Sequence, residues 1–218
     1  MILRTGKSWK KSGSITSWRI LSVGLKKGID IPAKSLNSIL NTLWELGYDV
    51  QWMVFNSKFF GVPQNRERVF IVGNIRGTTR PEILPFREIN KFSNEECENG
   101  LLQLNPNVSD AQRVYATNGV AKTLKGLGGG MGAKTGLYAT RDNQTFKIRR
   151  LTPIECCRLQ GFSDDWNKYG INEAGETIEI SDSQRYKQMG NAVTVNVIEA
   201  IGRKLLQHSL NSVCGFYF

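Results

Sequence analysis

Histidine is almost missing from this chain: His208 is the only one in 218 residues, and the four cysteines (Cys97, Cys156, Cys157, Cys214) include no C-x-x-C pair. A zinc site and a disulfide framework are thereby excluded as organising features, so no metal is expected and the thiols should be reduced and structural. No apolar run approaches the length that spans a bilayer, and the amino terminus lacks the apolar core of a secretion signal. These absences predict a cytoplasmic chain without a membrane partner. Acidic residues are in deficit, 19 Asp and Glu against 29 Lys and Arg, and the resulting +10 favours a polyanionic partner, although solvated surfaces carry such charge too. Most of the excess is local. Residues 1–34 hold eight Lys/Arg and one Asp, +7 of the +10.

What is present centres on Gly61–Gly73, a loop running into a short strand. Val69, Phe70, Ile71 and Val72 form a continuous apolar run closed by Gly73, the pattern of a strand covered on both faces. Just before it, Gln64, Arg66 and Arg68 alternate along the chain, so an extended backbone points all three side chains one way. The arginine fork matches phosphate oxygens or a base edge. The same residues also suit a solvated edge with two surface arginines.

Residues 1–34 hold neither a helical nor a strand period for long, and a basic, poorly ordered leader is expected there. Leu36, Ile39, Leu40, Leu43 and Leu46 then share one helical face, with Ser35 as cap and Gly47 as stop. Tyr48–Asn56 alternates as a strand. Helix, strand, loop and strand together predict the edge of an α/β sheet over 35–80.

Between 81 and 148 the prolines 81, 85 and 106 break the pattern, no long helix is signalled, and a separate small module is expected. Arg113-Val-Tyr and Gly136-Leu-Tyr flank a stretch from Ala121 to Thr135 containing Gly128, Gly129 and Gly130. Glycines there permit close approach to a ligand, and Lys122, Lys125 and Lys134 supply phosphate contacts. A nucleotide cradle, a structural loop and a loop that reads nucleic acid are all compatible with it.

Thr152-Pro-Ile-Glu155 is a capping box with proline at the first helical position, predicting a short helix that stops at Gly161. Ile154 and Cys157 are expected inward, which makes Cys156 and Cys157 packing residues before reactive ones. Ser163 to Asp182 reads as a connector. A final segment over 183–218, split at Gly190-Asn191, closes with an amphipathic helix bearing Val193, Val197, Ile198, Ile201 and Leu205, and Asn191 at its start serves either a ligand or the cap.

Three stretches, taken in order, resemble the cytosine-5 DNA methyltransferases of bacteria and phages. Pro63-Gln-Asn-Arg-Glu-Arg68 is similar to that family's Q-x-R-x-R motif. Arg150-Leu-Thr-Pro-Ile-Glu-Cys-Cys-Arg-Leu-Gln-Gly-Phe162 resembles the motif after its target-recognition region, and Gln188-Met-Gly-Asn-Ala-Val-Thr-Val-Asn-Val197 its last motif. The resemblance, over Leu36 to Leu206, implies an α/β fold: an incomplete Rossmann-like methyltransferase sheet edge plus a small, mostly β or irregular target-recognition domain. It implies double-stranded DNA as substrate and S-adenosylmethionine as cofactor, with a cytosine flipped out of the duplex and activated by a cysteine thiolate. Arg66 and Arg68 would stabilise charge at the pyrimidine oxygen and its phosphate. Gln64 would orient the loop, and Gln64, Arg113, Lys122, Thr123, Leu124, Lys125, Gly128, Gly129, Gly130 and Lys134 would form the DNA side. Asn191, Ala192 and Val193 would border the cofactor, and Arg150, Glu155 and Arg158 would be struts.

The family's other parts are not in the sequence. No proline precedes a cysteine, no Glu-Asn-Val occurs, and no F-x-G-x-G cofactor turn precedes Gly61. The expectation is a carboxy-terminal part or split subunit that shares its cofactor with a complementary N-terminal methyltransferase chain. A DNA-binding remnant without catalysis is the alternative. An enzyme active alone would need Cys97, Cys156, Cys157 or Cys214 as nucleophile.

Overall fold

The structure, a computed structural model, describes residues 18–24, 33–77, 82–84, 100–109, 112–126, 136–142 and 145–214. The chain divides into two compact units: residues up to Met53 with Val69–Pro85, and Val54–Arg68 with Phe86–Phe218.

In the first unit, strand β1 (Trp18–Gly24) precedes helix α1 (Ala33–Glu45) and strand β2 (Tyr48–Asn56), and strand β4 (Glu67–Ile75) lies between β1 and β2 in a three-stranded sheet. That central place accounts for the apolar run: Val69, Phe70, Ile71 and Val72 are all buried. Ile83 and Leu84 are buried too, their backbone N–H groups donating to Gln51 Oε1 at 2.8 and 2.9 Å. Two expectations change here. The leader supplies β1, whose order comes from pairing with β4, a non-local partner that local periodicity does not register. Helix α1 starts at Ala33, which puts Ser35 inside its first turn rather than before it. Gly47 ends the helix as expected, at φ +81°.

Near the start of the second unit Asn56 caps a 3₁₀ turn, Ser57–Phe60. Asn56 Oδ1 accepts from the backbone N–H groups of Lys58 and Arg66, and its Nδ2 donates to Asn65 Oδ1 at 2.7 Å, so one side chain closes the whole loop. Strand β3 (Gln64–Asn65) then pairs in parallel with β6 (Ala121–Lys122). A second sheet orders β5 (Val114–Ala116), β7 (Leu137–Asp142) and β8 (Thr145–Arg149), with β8 exposed along its whole length. Helix α2 (Pro153–Leu159) has the predicted capping box, and Gly161 beyond it lies at φ +75°. A hairpin of β9 (Tyr169–Ile171) and β10 (Thr177–Glu179) leads to helices α3 (Asp182–Asn191) and α4 (Val195–Cys214).

The core of this unit joins Tyr115, Ala121, Leu124 and Tyr138 of the module to Cys156, Cys157 and Leu159 of α2 and Met189 of α3. The module expected to stand apart therefore shares one apolar interior with the helices after it. Ile154, expected inward, is exposed, and Cys156 takes the buried place instead. Asn191 is the last residue of α3, not the first of α4. The backbone leaves the helix at Ala192, and α4 starts three residues further on.

Candidate functional site

The alternation that begins at Gln64 carries two of its three side chains into the interior. Gln64 is fully buried, and its Nε2 donates to the carbonyl of Leu159 at the end of α2, 3.0 Å away. Arg66 is 3 % exposed, and its fork is spent on backbone: Nη1 donates to Leu124 O at 3.0 Å, and Nη2 to Gly190 O at 3.0 Å and Ala192 O at 2.7 Å. Burial, with the neighbouring charge of Arg68 adding, pulls its pKa down to about 9. Arg68 is half-buried and donates to the carbonyl of its own neighbour Glu67, and burial lowers its pKa as well. The pair expected to face one ligand is thus divided. Arg66 clamps carbonyls inside the protein, and Arg68 keeps surface.

A chain of buried hydrogen bonds returns to the same residue. Gln160 Oε1 can only accept, so the 2.8 Å bond from Thr194 Oγ1 uses the threonine proton. In the 2.7 Å contact between Ser57 Oγ and Thr194 Oγ1, serine is therefore the donor. Gln160 Nε2 donates to Met189 O at 2.8 Å, next to the carbonyl that Arg66 holds, and the backbone N–H of Ser57 donates to Arg66 O at 3.0 Å. Ser57, Thr194, Gln160 and Arg66 are all buried, so the loop at β3, the end of α2 and the α3–α4 joint are fixed in one closed polar circuit.

Next to it lies the segment that starts at the end of β6. Lys122 N–H donates to Tyr138 Oη at 3.0 Å, and the ammonium lies 5.6 Å from the Tyr115 ring centre. Thr123 Oγ1 donates to the carbonyl of Asn65, Leu124 is buried with its carbonyl on Arg66, and Lys125 is exposed. The next turn packs against the α3 terminus with no room for side chains. A Cβ on Gly190 would fall 2.2 Å from the Gly126 nitrogen, and one on Gly126 2.2 Å from Asn191 Oδ1. Asn191 is exposed, and Ala192 and Val193 are half-buried.

Several assignments change with these positions. Gln64 and Leu124 have no surface to offer DNA. They hold the loop from within, because the alternation that aims Gln64 also aims it at the core. Glu155 is held by Arg149 at the end of β8, with two 2.8 Å bonds. That pairing holds the Glu155 carboxyl at about 2. Arg158 forms an exposed fork with Asp164, which keeps it within the connector, and Arg150 is exposed. Arg113 borders a hollow of about 390 Å³ with Gln103, Pro106, Asn107 and Val108. Gly128, Gly129, Gly130, Lys134 and Cys97 lie outside the described residues. Asn56, Ser57, Arg149, Gln160 and Thr194 were not singled out from the sequence. The signal was a polar residue set in an apolar or glycine context, as in Leu159-Gln-Gly161 and Val193-Thr-Val195.

Cys156 and Cys157 do not suit nucleophilic chemistry. Burial pushes Cys156 up to about 12, with Cys157 and Glu155 adding, and burial raises Cys157 as well, while its Sγ donates to Asn167 Oδ1 at 3.3 Å. No group of three potential metal ligands occurs among the described residues, and none of the described helices is long and apolar enough to cross a membrane.

The family model for C-5 cytosine-specific DNA methylases matches residues 25–114 and 82–207, which carries the likeness upstream of Leu36. The type II methyltransferase M.HhaI of Haemophilus parahaemolyticus is 30% identical over 201 residues, covering 77% of this chain and 56% of that protein. M.SsoII of Shigella sonnei is 33% identical, over 79% of this chain and 48% of that protein. The chain thus spans about half the length of these curated relatives. In fold it is similar to the Entamoeba histolytica methyltransferase EhMeth, with TM-score 0.58 and 15% identity over 88% of this chain and 63% of that one. The S. pombe Dnmt2 methyltransferase gives TM-score 0.58 and 14% identity, over 91% and 67% of the two chains. With the Arg66 segment, the capped helix and the α3–α4 joint interlocked inside a region that the family model covers, the chain belongs to the C-5 cytosine-specific DNA methylase family.

Proposed function

We propose that this chain is the carboxy-terminal, DNA-reading part of a DNA (cytosine-5-)-methyltransferase and methylates cytosine from S-adenosylmethionine only together with polypeptide outside these 218 residues. The observation that carries the reading is the hydrogen-bonded junction of Arg66 with Leu124, Gly190 and Ala192, three stretches distant in sequence. On this reading the exposed ends of the junction meet the substrates. Lys122, Thr123 and Lys125, continued by Gly128, Gly129, Gly130 and Lys134, face the duplex together with Arg113, and Asn191, Ala192 and Val193 border the methionine end of the cofactor.

Arg68 is then the side chain left to reach the pyrimidine oxygen or its phosphate and to stabilise charge that develops on the ring. The thiol that adds to the cytosine, the acid at its ring nitrogen and the cofactor turn come from the complementary N-terminal chain. The buried, protonated state of Cys156 and Cys157 supports this division of labour. It equally supports the second reading, a DNA-binding remnant without catalysis.

Binding of the full chain to unmethylated duplex DNA, followed by fluorescence anisotropy as salt is raised, tests the DNA side. Affinity should fall steeply with salt, and alanine at Lys122, Lys125 and Lys134 together should weaken binding to all sequences and flatten the salt dependence. Unchanged affinity in that triple variant would remove the loop from the DNA interface.

A further inference from the structure

The Arg66 side chain has more consequence than a buried strut. Its guanidinium is planar and rigid, and its two terminal nitrogens hold opposite neighbours: Nη1 the carbonyl of Leu124, Nη2 those of Gly190 and Ala192. A shift of Leu124 must turn the fork, and the turn either drags Gly190 and Ala192 or breaks charged hydrogen bonds in a buried setting. Two further contacts oppose independent motion. Gly190 meets Lys125 and Gly126 backbone to backbone, with no space for a Cβ. The Ser57–Thr194–Gln160 chain ties the joint back to the backbone of Arg66 itself. No element in this arrangement can relax without the others.

We propose that Arg66 is a positioning residue that couples the Lys122–Gly126 segment to the α3–α4 joint at Gly190–Ala192, so that a ligand seated on one is felt at the other. What those ligands are, DNA on the segment and cofactor at the joint, rests on the function proposed above; the mechanical link does not depend on it. Because coupling free energies are reciprocal, DNA that tightens the segment would raise cofactor affinity by the factor through which cofactor raises DNA affinity.

The test is hydrogen exchange on the full chain, read in peptides covering 122–126, 189–194 and, as reference, β7 and β8. Without ligand, Arg66→Lys keeps the charge but lacks the fork. Exchange should rise in both linked segments together, by roughly tenfold or more where a charged hydrogen bond is lost, and stay unchanged in β7 and β8. Arg66→Met should give a larger joint rise; if it fails to fold, Arg66→Lys decides. A rise in one linked segment alone, or in neither, overturns the coupling.

The second arm adds a short unmethylated duplex. In the wild-type chain it should slow exchange at 189–194, which bears no DNA contact, and in Arg66→Lys it should protect 122–126 but no longer 189–194. Equal protection of 189–194 in both proteins would overturn the proposal, since a purely structural arginine transmits nothing. Absence of duplex binding to the wild type would count against the proposed function, and the ligand-free arm alone would then decide the coupling.

Discussion

At the scale of single residues, chemistry is separated from support by burial. Arg66, between β3 and β4, and Arg68, in β4, are two positions apart, yet one holds backbone inside the protein and the other keeps a surface. Their substitutions should therefore fail differently. Arg68→Ala should leave the melting temperature nearly unchanged and lower turnover of the reconstituted enzyme by roughly 10²-fold or more, the loss typical of a donor aimed at developing charge. The cysteines give the complementary case. Cys156→Ala should cost stability of roughly 1 kcal/mol through lost packing, with methyl transfer by the folded, reconstituted enzyme unchanged. Abolished transfer at unchanged stability would return Cys156 to the list of nucleophiles.

Elements show how far local sequence carries and where it stops. The capping box at Thr152 was legible because all its parts lie within four residues, and the Gly47 and Gly161 stops were legible because a left-handed residue after a helix selects glycine. β1 was not, since Trp18–Gly24 acquires its partner across a long stretch of chain. The Arg149–Glu155 pair was not legible for a related reason: Arg149 ends β8, and its place beside Glu155 follows from the β7–β8 register rather than from local spacing.

The strut has a measurable pH signature. Glu155 ionises in the folded chain at about 2, chiefly because of its bond to Arg149, against an ordinary value of 4.5. A depressed carboxyl pKa stabilises the fold above the unfolded value and loses that contribution as pH falls through the folded one. Stability should therefore drop between about pH 4.5 and about pH 2, and Glu155→Gln should flatten that part of the profile. The pair is partly exposed, so its coupling in a double-mutant cycle with Arg149→Ala should be no more than about 1 kcal/mol. At the neighbouring cap, Thr152→Ala should cost about 1 kcal/mol in a denaturant melt.

For the molecule as a whole, three motif stretches were legible as a set because their order resembles one family, and the family model matches the chain over the residues that hold them. Their mutual contacts were not legible. Nothing in the spacing of Arg66, Leu124 and Gly190 says that one guanidinium would bind the carbonyls around it. In the first unit Trp44, Leu46, Trp52 and Ile75 are all exposed, and among the described residues β2 is an edge strand of its sheet. Such an edge favours association, so the purified chain should sediment with a concentration-dependent mass, and Trp52→Ser should reduce the dependence.

On the function proposed above, this chain supplies the DNA-reading half of a methyltransferase and another polypeptide supplies the reacting thiol. Its most direct test is transfer of labelled methyl from S-adenosylmethionine to unmethylated duplex DNA, by the purified chain alone and after co-expression with the N-terminal half of a related enzyme. No transfer alone and clear transfer on complementation, lost again in Arg68→Ala, is the predicted result. Transfer by the chain alone would overturn this division of labour and place the nucleophile among its own four cysteines.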